Sequence, residues 1–83
     1  IMKLISLIKP IKVNYFGIEL SAPHWTKFIA TDESGLVFAC NMLPRTEFNC
    51  YERWDSDSPS FRDEIIAVVD LEEMDWKETL VEI

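Results

Sequence analysis

The alternation of apolar and polar positions predicts a chain built mostly from β-strands. Residues 2–8 are rich in Leu and Ile and end at a Lys-Pro pair, which predicts a first strand. Residues 12–20 alternate in character and predict a second strand, with Gly17 indicating a bulge or a close backbone approach. Residues 64–71 are almost continuously apolar, which favours a central strand covered on both faces.

A hairpin is predicted between residues 25–31 and 36–42. The connection is Asp32-Glu33-Ser34-Gly35, in which Asp opens a type I turn and Gly closes it in the left-handed conformation. A three-residue loop places Ala30 opposite Phe38 on a face suited to a core. The other face is mixed, and we expect it to be only partly covered. This mixed face carries Trp25, Lys27, Ile29 and Thr31 on one strand and Val37, Ala39, Asn41 and Leu43 on the other.

The remaining elements complete a predicted α+β fold. Residues 47–54 predict a further strand. Residues 75–83 predict a short helix, because Asp75 and Glu78 form a capping box and an apolar stripe starts at Trp76. A helix of about eight residues is unstable alone and must dock. We therefore predict a single domain, in which an antiparallel sheet of four to five strands carries a short C-terminal helix packed on one face.

Charge is distributed unevenly along the chain. Residues 1–31 hold four basic side chains and one acidic (net +3), whereas residues 32–83 hold four basic and fourteen acidic (net −10). Such a chain repels phosphate backbones, so we expect no direct nucleic-acid binding. An acidic surface favours basic protein partners instead, including proteins that themselves bind nucleic acid. The alternative is that the charge only keeps an apolar-rich chain soluble.

No catalytic, metal or cofactor site is expected, and we predict that the chain is not an enzyme. His24 is the only histidine and lies in a Pro-His-Trp sequence typical of a strand entry. Cys40 and Cys50 are ten residues apart, without the paired spacing of a zinc site, and we expect both to be reduced thiols of a cytosolic protein. The first apolar run is too short for a secretory signal or a membrane span.

Aromatic residues beside carboxylates are candidate contact residues for a protein partner. Tyr51 and Trp54 are interleaved with acidic residues, unlike the basic interleaving of proteins that stack single-stranded nucleic acid. Exposed acidic pairs add the charge that a basic partner would recognise. The predicted partner-binding residues are therefore Tyr51, Trp54, Asp55, Asp57, Glu72 and Glu73.

Two segments resemble small proteins of tailed bacteriophages and prophages. In those proteins the sequence often contains, in this order, Trp, an apolar pair, Ala-Thr-Asp, a turn with Gly, and Val-x-Ala. A proline and a later tryptophan follow, which correspond here to Pro44 and Trp54. They often end in Asp-Trp-Lys-Glu-Ser-Leu, from which this chain departs only at Thr79. The resemblance covers residues 25–83 and carries over no catalytic residue. The matching segments are Trp25-Thr26-Lys27-Phe28-Ile29-Ala30-Thr31-Asp32-Glu33-Ser34-Gly35-Leu36-Val37-Phe38-Ala39 and Asp75-Trp76-Lys77-Glu78-Thr79-Leu80.

The resemblance implies a non-enzymatic interaction protein of phage or prophage type. Such a protein would bind a host or phage protein through its acidic surface, for instance by occluding a basic, nucleic-acid-binding surface. The alternative is a homo-oligomeric structural or accessory phage protein, in which the mixed hairpin face pairs with that of a second copy.

Overall fold

The computed structural model describes residues 1–44 and 59–83. Within them the chain forms two antiparallel sheets. The first contains two strands, β1 and β2, and the second contains four strands in the order β5-β4-β3-β6. The elements are β1 Ile11–Tyr15, β2 Ile18–Ala22, β3 Phe28–Thr31, β4 Leu36–Cys40, β5 Asp63–Val68, a 3-10 turn Trp76–Glu78 and β6 Val81–Glu82.

The predicted α+β fold is wrong, because the described residues contain strands and one 3-10 turn but no α-helix. The helix predicted over residues 75–83 is replaced by that turn and by β6, which pairs with β3. The capping interaction at Asp75 is present, since its Oδ1 accepts a hydrogen bond from the Lys77 N–H at 3.0 Å. Thr79 is hydrogen-bonded to Thr31 of β3. This tertiary contact is favoured over the helix that the local sequence predicts, because so short a helix is unstable on its own. No helix in residues 1–44 and 59–83 is long and apolar enough to cross a membrane.

The single strand predicted over residues 12–20 is a hairpin. Phe16 and Gly17 form a two-residue connection with φ of 49° and 83°, the left-handed pair of a type I′ turn. The side-chain Oδ1 of Asn14 accepts a hydrogen bond from the Gly17 N–H at 2.9 Å. Gly17 therefore reverses the chain, whereas the sequence predicted a bulge within one continuous strand.

The strand predicted over residues 2–8 is also wrong. Residues 1–10, which we name the leading segment, belong to no strand, and all ten are exposed. Its apolar side chains include Leu4, 78% exposed, and Ile5, 95% exposed. The radius of gyration is 14.3 Å, compared with about 12 Å for a compact chain of this length. The leading segment thus stands away from the two sheets.

The hairpin of β3 and β4 is confirmed, but its core lies on the unexpected face. Ala30 lies opposite Phe38, as predicted, and Gly35 has φ of 90°. On the face predicted to be wholly core, Ala30 and Cys40 are buried but Phe38 and Phe28 are only half-buried. The middle of the mixed face is covered, because the β1–β2 hairpin packs on it, and this part is therefore not available to a second copy, whereas Lys27 and Leu43 of the same face are exposed. Its members Ile29, Thr31, Val37 and Ala39 are all 0% exposed, and Tyr15 and Ala22 of the covering hairpin are buried against them.

The strand predicted over residues 64–71 is present as β5, at Asp63–Val68, and the described strands do not surround it. Among the strands that the structure describes, β5 is the outermost of its sheet. Ile65 and Val68 are 54% and 72% exposed, while Ile66 and Ala67 pack against the core. The strand predicted over residues 47–54 lies outside the described residues.

Candidate functional site

A buried hydrogen-bond network joins β1, β3 and the segment before β6. The Thr31 N–H donates to Thr79 Oγ1 at 2.8 Å, and the Tyr15 hydroxyl donates to the Thr79 carbonyl at 2.9 Å. The Tyr15 hydroxyl also lies 2.8 Å from Thr31 Oγ1. Burial raises the pKa of Tyr15, an effect that its hydrogen bonds to Thr31 and Thr79 oppose. The network holds the end of the acidic segment before β6 against the larger sheet.

The turn between β3 and β4 approaches the same segment from the other side. Asp32 is 6% exposed, and its Oδ1 accepts hydrogen bonds from Ser34 Oγ at 2.6 Å and the Leu36 N–H at 3.0 Å. Asp32 is therefore a structural acceptor rather than part of an acidic surface. The Val69 N–H donates to the Gly35 carbonyl at 2.8 Å. A Cβ on Gly35 would collide with the Val69 carbonyl, so only glycine permits this approach.

An open cleft of about 530 Å³ lies between this turn and the chain that leaves β5. We call it the acidic cleft. Four exposed acidic residues line it together with apolar side chains, among which Trp76 is half-buried. A smaller recess of about 160 Å³ adjoins it, lined by Phe16, Tyr15 and part of the same chain segment. The acidic residues of the cleft are Glu33, Asp70, Glu72 and Asp75, and its apolar residues include Val69, Leu71, Met74 and Trp76.

Local hydrogen bonds shape the rim of the acidic cleft. Glu72 has a left-handed backbone, with φ of 55°, which costs a non-glycine residue on the order of 1 kcal/mol. Its N–H donates to Asp70 Oδ1 at 2.8 Å. Asp75 Oδ1 accepts in the same way from the Lys77 N–H. Each aspartate thus folds the backbone beside it and keeps its own carboxylate at the cleft.

Basic side chains of the described residues do not pair with this acidic segment. One side-chain ion pair occurs among those residues, between Lys12 Nζ and Glu19 Oε1 at 3.4 Å on the β1–β2 hairpin. Arg62 directly precedes β5, whereas the acidic segment follows it. The Arg62 guanidinium lies 4.5 Å from the centroid of the Trp25 ring. Negative charge therefore remains on the segment after β5. Its exposed carboxylate residues are Asp70, Glu72, Glu73, Asp75 and Glu78.

The predicted partner-binding residues fall partly within the structure. Glu72 lines the acidic cleft, and Glu73 is exposed beside it without lining it. The other four predicted residues lie outside the described residues; they are Tyr51, Trp54, Asp55 and Asp57.

Sequence reasoning missed the remaining members of the cleft. Asp75 and Trp76 were expected to start and orient a helix, and Glu33 was assigned only to a turn. Their proximity depends on the contact between Gly35 and Val69, which no local pattern indicates. The one available signal was the closing glycine of the turn, since a buried glycine with positive φ often marks a close backbone approach.

The thiol of Cys40, the cysteine within the described residues, is not suited to act as a nucleophile. Cys40 is free and 1% exposed. Burial, and then the nearby carboxylate of Asp63, raises the pKa of Cys40 to about 12. It is therefore protonated at neutral pH. Within residues 1–44 and 59–83, no group of three or more His, Cys, Asp and Glu residues is placed to hold a metal ion.

The two segments on which the expected resemblance depends meet in this structure. Thr31 of the Ala-Thr-Asp sequence is hydrogen-bonded to Thr79 of the Asp-Trp-Lys-Glu-Thr-Leu sequence. Comparisons with protein-family models, with curated proteins and with solved structures find no match to this chain.

Proposed function

We propose that this chain is a non-enzymatic interaction protein of phage or prophage type, which binds a basic surface of a host or phage protein through the acidic cleft. The observation that carries the proposal is the convergence of Glu33, Asp70, Glu72 and Asp75 with Leu71 and Trp76 around one recess. The one side-chain ion pair among the described residues involves none of these four carboxylates, so they are available to a cation from a partner.

The cleft fits a lysine or arginine side chain of that partner. The aliphatic part of such a side chain packs on apolar surface, here Leu71, Met74 and Trp76, while its charged end stays in water near carboxylates. An aromatic ring adds a cation–π contact. A single exposed ion pair contributes only about 0.2–1 kcal/mol, so affinity requires several carboxylates together with the apolar contact.

The charge of the whole chain supports the same proposal. A net charge of −7 accelerates association with a positively charged protein and repels nucleic acid. Proteins that bind nucleic acid present basic surfaces, and they are the class of partner we favour. A chain that occupied such a surface would block the binding of nucleic acid to the partner. Host proteins of this class are encountered in the bacterial cytoplasm.

The experiment is affinity capture from bacterial lysate with matched pairs of neutralised variants. Glu72→Gln/Glu73→Gln removes two charges at the cleft. None of the hydrogen bonds found among the described residues involves either side chain. Glu19→Gln/Glu82→Gln removes the same charge from exposed positions elsewhere. Asp55→Asn/Asp57→Asn tests the predicted residues outside the described ranges.

We expect the wild type and the Glu19/Glu82 variant to retain the same basic partners, and the Glu72/Glu73 variant to lose them. Raising the salt concentration should release the partners from the wild type, because exposed charges are screened. Equal capture by the cleft variant and its control would contradict the proposal. So would a partner set without basic proteins.

A further inference from the structure

We propose that the leading segment of one copy of this chain pairs as an added strand with the outer edge of β5 in a second copy. The inference does not depend on the acidic cleft. It rests on two surfaces that residues 1–44 and 59–83 leave uncovered and on the match between their charges.

The first surface is the leading segment itself. Its apolar side chains are among the most exposed of the described residues, and none of the six described strands pairs with it. Removing such side chains from water contributes about 25 cal/mol per Å² of apolar area. A segment of this composition, rich in Leu and Ile, is well suited to extended pairing on a sheet edge. The exposed apolar residues are Met2, Leu4, Ile5, Leu7 and Ile8.

The second surface is the outer edge of β5. An edge strand presents a row of backbone donors and acceptors that serves as a template for another strand. Among the described strands, β5 is the longest, with six residues, and the edge at the other side of its sheet, β6, has only two. Ile65 and Val68 remain 54% and 72% exposed on this strand.

Charge complementarity selects the leading segment as the occupant. Lys3 and Lys9 are separated by six positions. Asp70 and Asp63 are separated by seven, but Ile66 between them is bulged out of the register, which leaves the same spacing along the strand. Antiparallel pairing, the arrangement of every strand pair among the described residues, places Lys3 opposite Asp70 and Lys9 opposite Asp63. Opposite charges facing each other across strands stabilise the pairing.

The same register matches the exposed apolar residues. It places Ile5 opposite Val68 and Leu7 opposite Ile65, with all four side chains on one face, because Val68 and Ile65 lie opposite Leu36 and Phe38 of β4. Exposed apolar side chains of the two surfaces therefore cover each other. A parallel arrangement would place Leu7 rather than Ile5 opposite Val68, which gives the experiment a means of distinguishing the two registers.

The first test is the mass of the full chain in solution, measured by sedimentation equilibrium from micromolar to submillimolar concentration. We expect a reversible dimer for the wild type. Lys3→Glu/Lys9→Glu should raise the dimer dissociation constant by about tenfold or more, because two attractive pairs become repulsive. Adding Asp63→Lys/Asp70→Lys should restore dimerisation. The matched control is Lys27→Glu/Lys77→Glu, which changes two exposed lysines elsewhere and should leave the dimer intact.

Several outcomes overturn the inference. They are a wild type that stays monomeric, a dimer unaffected by Lys3→Glu/Lys9→Glu, failure of the charge exchange to restore it, and equal loss in the control. The register is tested by mixing single variants under oxidising conditions in a Cys50→Ser background. Ile5→Cys should form an interchain disulfide with Val68→Cys, and Leu7→Cys should not. Preferential bonding of Leu7→Cys, or capture of a host protein by the leading segment while the chain stays monomeric, would contradict the proposed pairing.

Discussion

Thr31 and Thr79 are bonded to each other across 48 residues of chain, the Thr31 N–H donating to Thr79 Oγ1 at 2.8 Å. The Thr79 hydroxyl in turn lies 2.6 Å from the Trp76 carbonyl and 3.1 Å from the Thr31 carbonyl. Both threonines are almost fully buried. This contact holds the chain that carries the acidic cleft, because it anchors the end of the segment that runs from β5 to β6.

Replacing Thr79 tests whether its hydroxyl is required. Thr79→Val keeps the shape but leaves the Thr31 N–H without an acceptor in a buried place, and we expect a loss of about 1–3 kcal/mol in the free energy of unfolding. Thr79→Ser keeps the hydroxyl and should lose about 1 kcal/mol for the missing methyl group. Urea denaturation followed by tryptophan fluorescence measures both. Equal losses would show that the methyl group, rather than the hydroxyl, is what matters at this position.

Gly35 and Gly17 provide a matched pair for backbone approach. Both have positive φ, so alanine at either position incurs conformational strain of about 1–2 kcal/mol. At Gly35 the new methyl group would also collide with the Val69 carbonyl, whereas at Gly17 nothing lies within 4 Å. We expect Gly35→Ala to be far more destabilising than Gly17→Ala in thermal unfolding. Similar melting temperatures would mean that the turn moves away from β5 at little cost.

Cys40 should make stability fall at high pH. Its pKa in the folded chain is about 12, compared with an ordinary value of 9.0. Below pH 9 both states hold the proton, and the stabilisation is fully present. Above it the unfolded thiol ionises while the folded one does not, so the free energy of unfolding declines by up to about 1.4 kcal/mol per pH unit until the folded pKa is reached.

The control for this pH dependence is Cys40→Ala, which retains every other titrating group. The difference in unfolding free energy between the wild type and Cys40→Ala should shrink from pH 8 to pH 11 if burial shifts the thiol as described. A difference that stays constant over this range would show that the folded thiol titrates normally.

Glu72 should tolerate glycine better than its neighbour does. Its φ of 55° is unfavourable for a side chain but not for glycine, so the roughly 1 kcal/mol of strain that Glu72→Gly relieves should offset the entropy cost of glycine, about 0.5–1 kcal/mol, and leave the stability nearly unchanged. Glu73→Gly has no such strain to relieve and should destabilise by about 0.5–1 kcal/mol. Chemical denaturation of the two variants compares them directly. A loss in both would indicate that the side chain of Glu72 itself stabilises the rim of the cleft.

Local patterns predicted the hairpin of β3 and β4 in detail, including its register and its closing Gly35. That success has a physical reason, because the Asp and Gly positions of a short turn determine which residues face each other. The same kind of reasoning failed at Phe16-Gly17. A phenylalanine in the left-handed region is unusual, and alternation on either side of the turn concealed the reversal.

The prediction of which face of the β3–β4 hairpin forms the core was wrong, because hydrophobicity alone does not determine which other element packs on which face. Thr31 and Lys27 made one face of the hairpin look mixed, yet Thr31 is buried by the β1–β2 hairpin and bonded to Tyr15 and Thr79. A buried hydroxyl is acceptable once its partners are supplied. Those partners lie 16 and 48 residues away in sequence, and a pattern over a few positions does not reveal them.

The sequence by itself determined the strand-rich character of the chain, the β3–β4 turn and the excess of negative charge after it, since these depend on residue type and near neighbours. The tertiary structure alone decided that the last segment pairs with β3 instead of forming a helix, that β5 is the outermost strand among those described, and that Glu33 meets Asp70 and Asp75 around one cleft. The reason is that short elements are only marginally stable alone. Contacts between residues distant in sequence, such as Gly35 with Val69 and Thr31 with Thr79, therefore select among the conformations that local preferences allow.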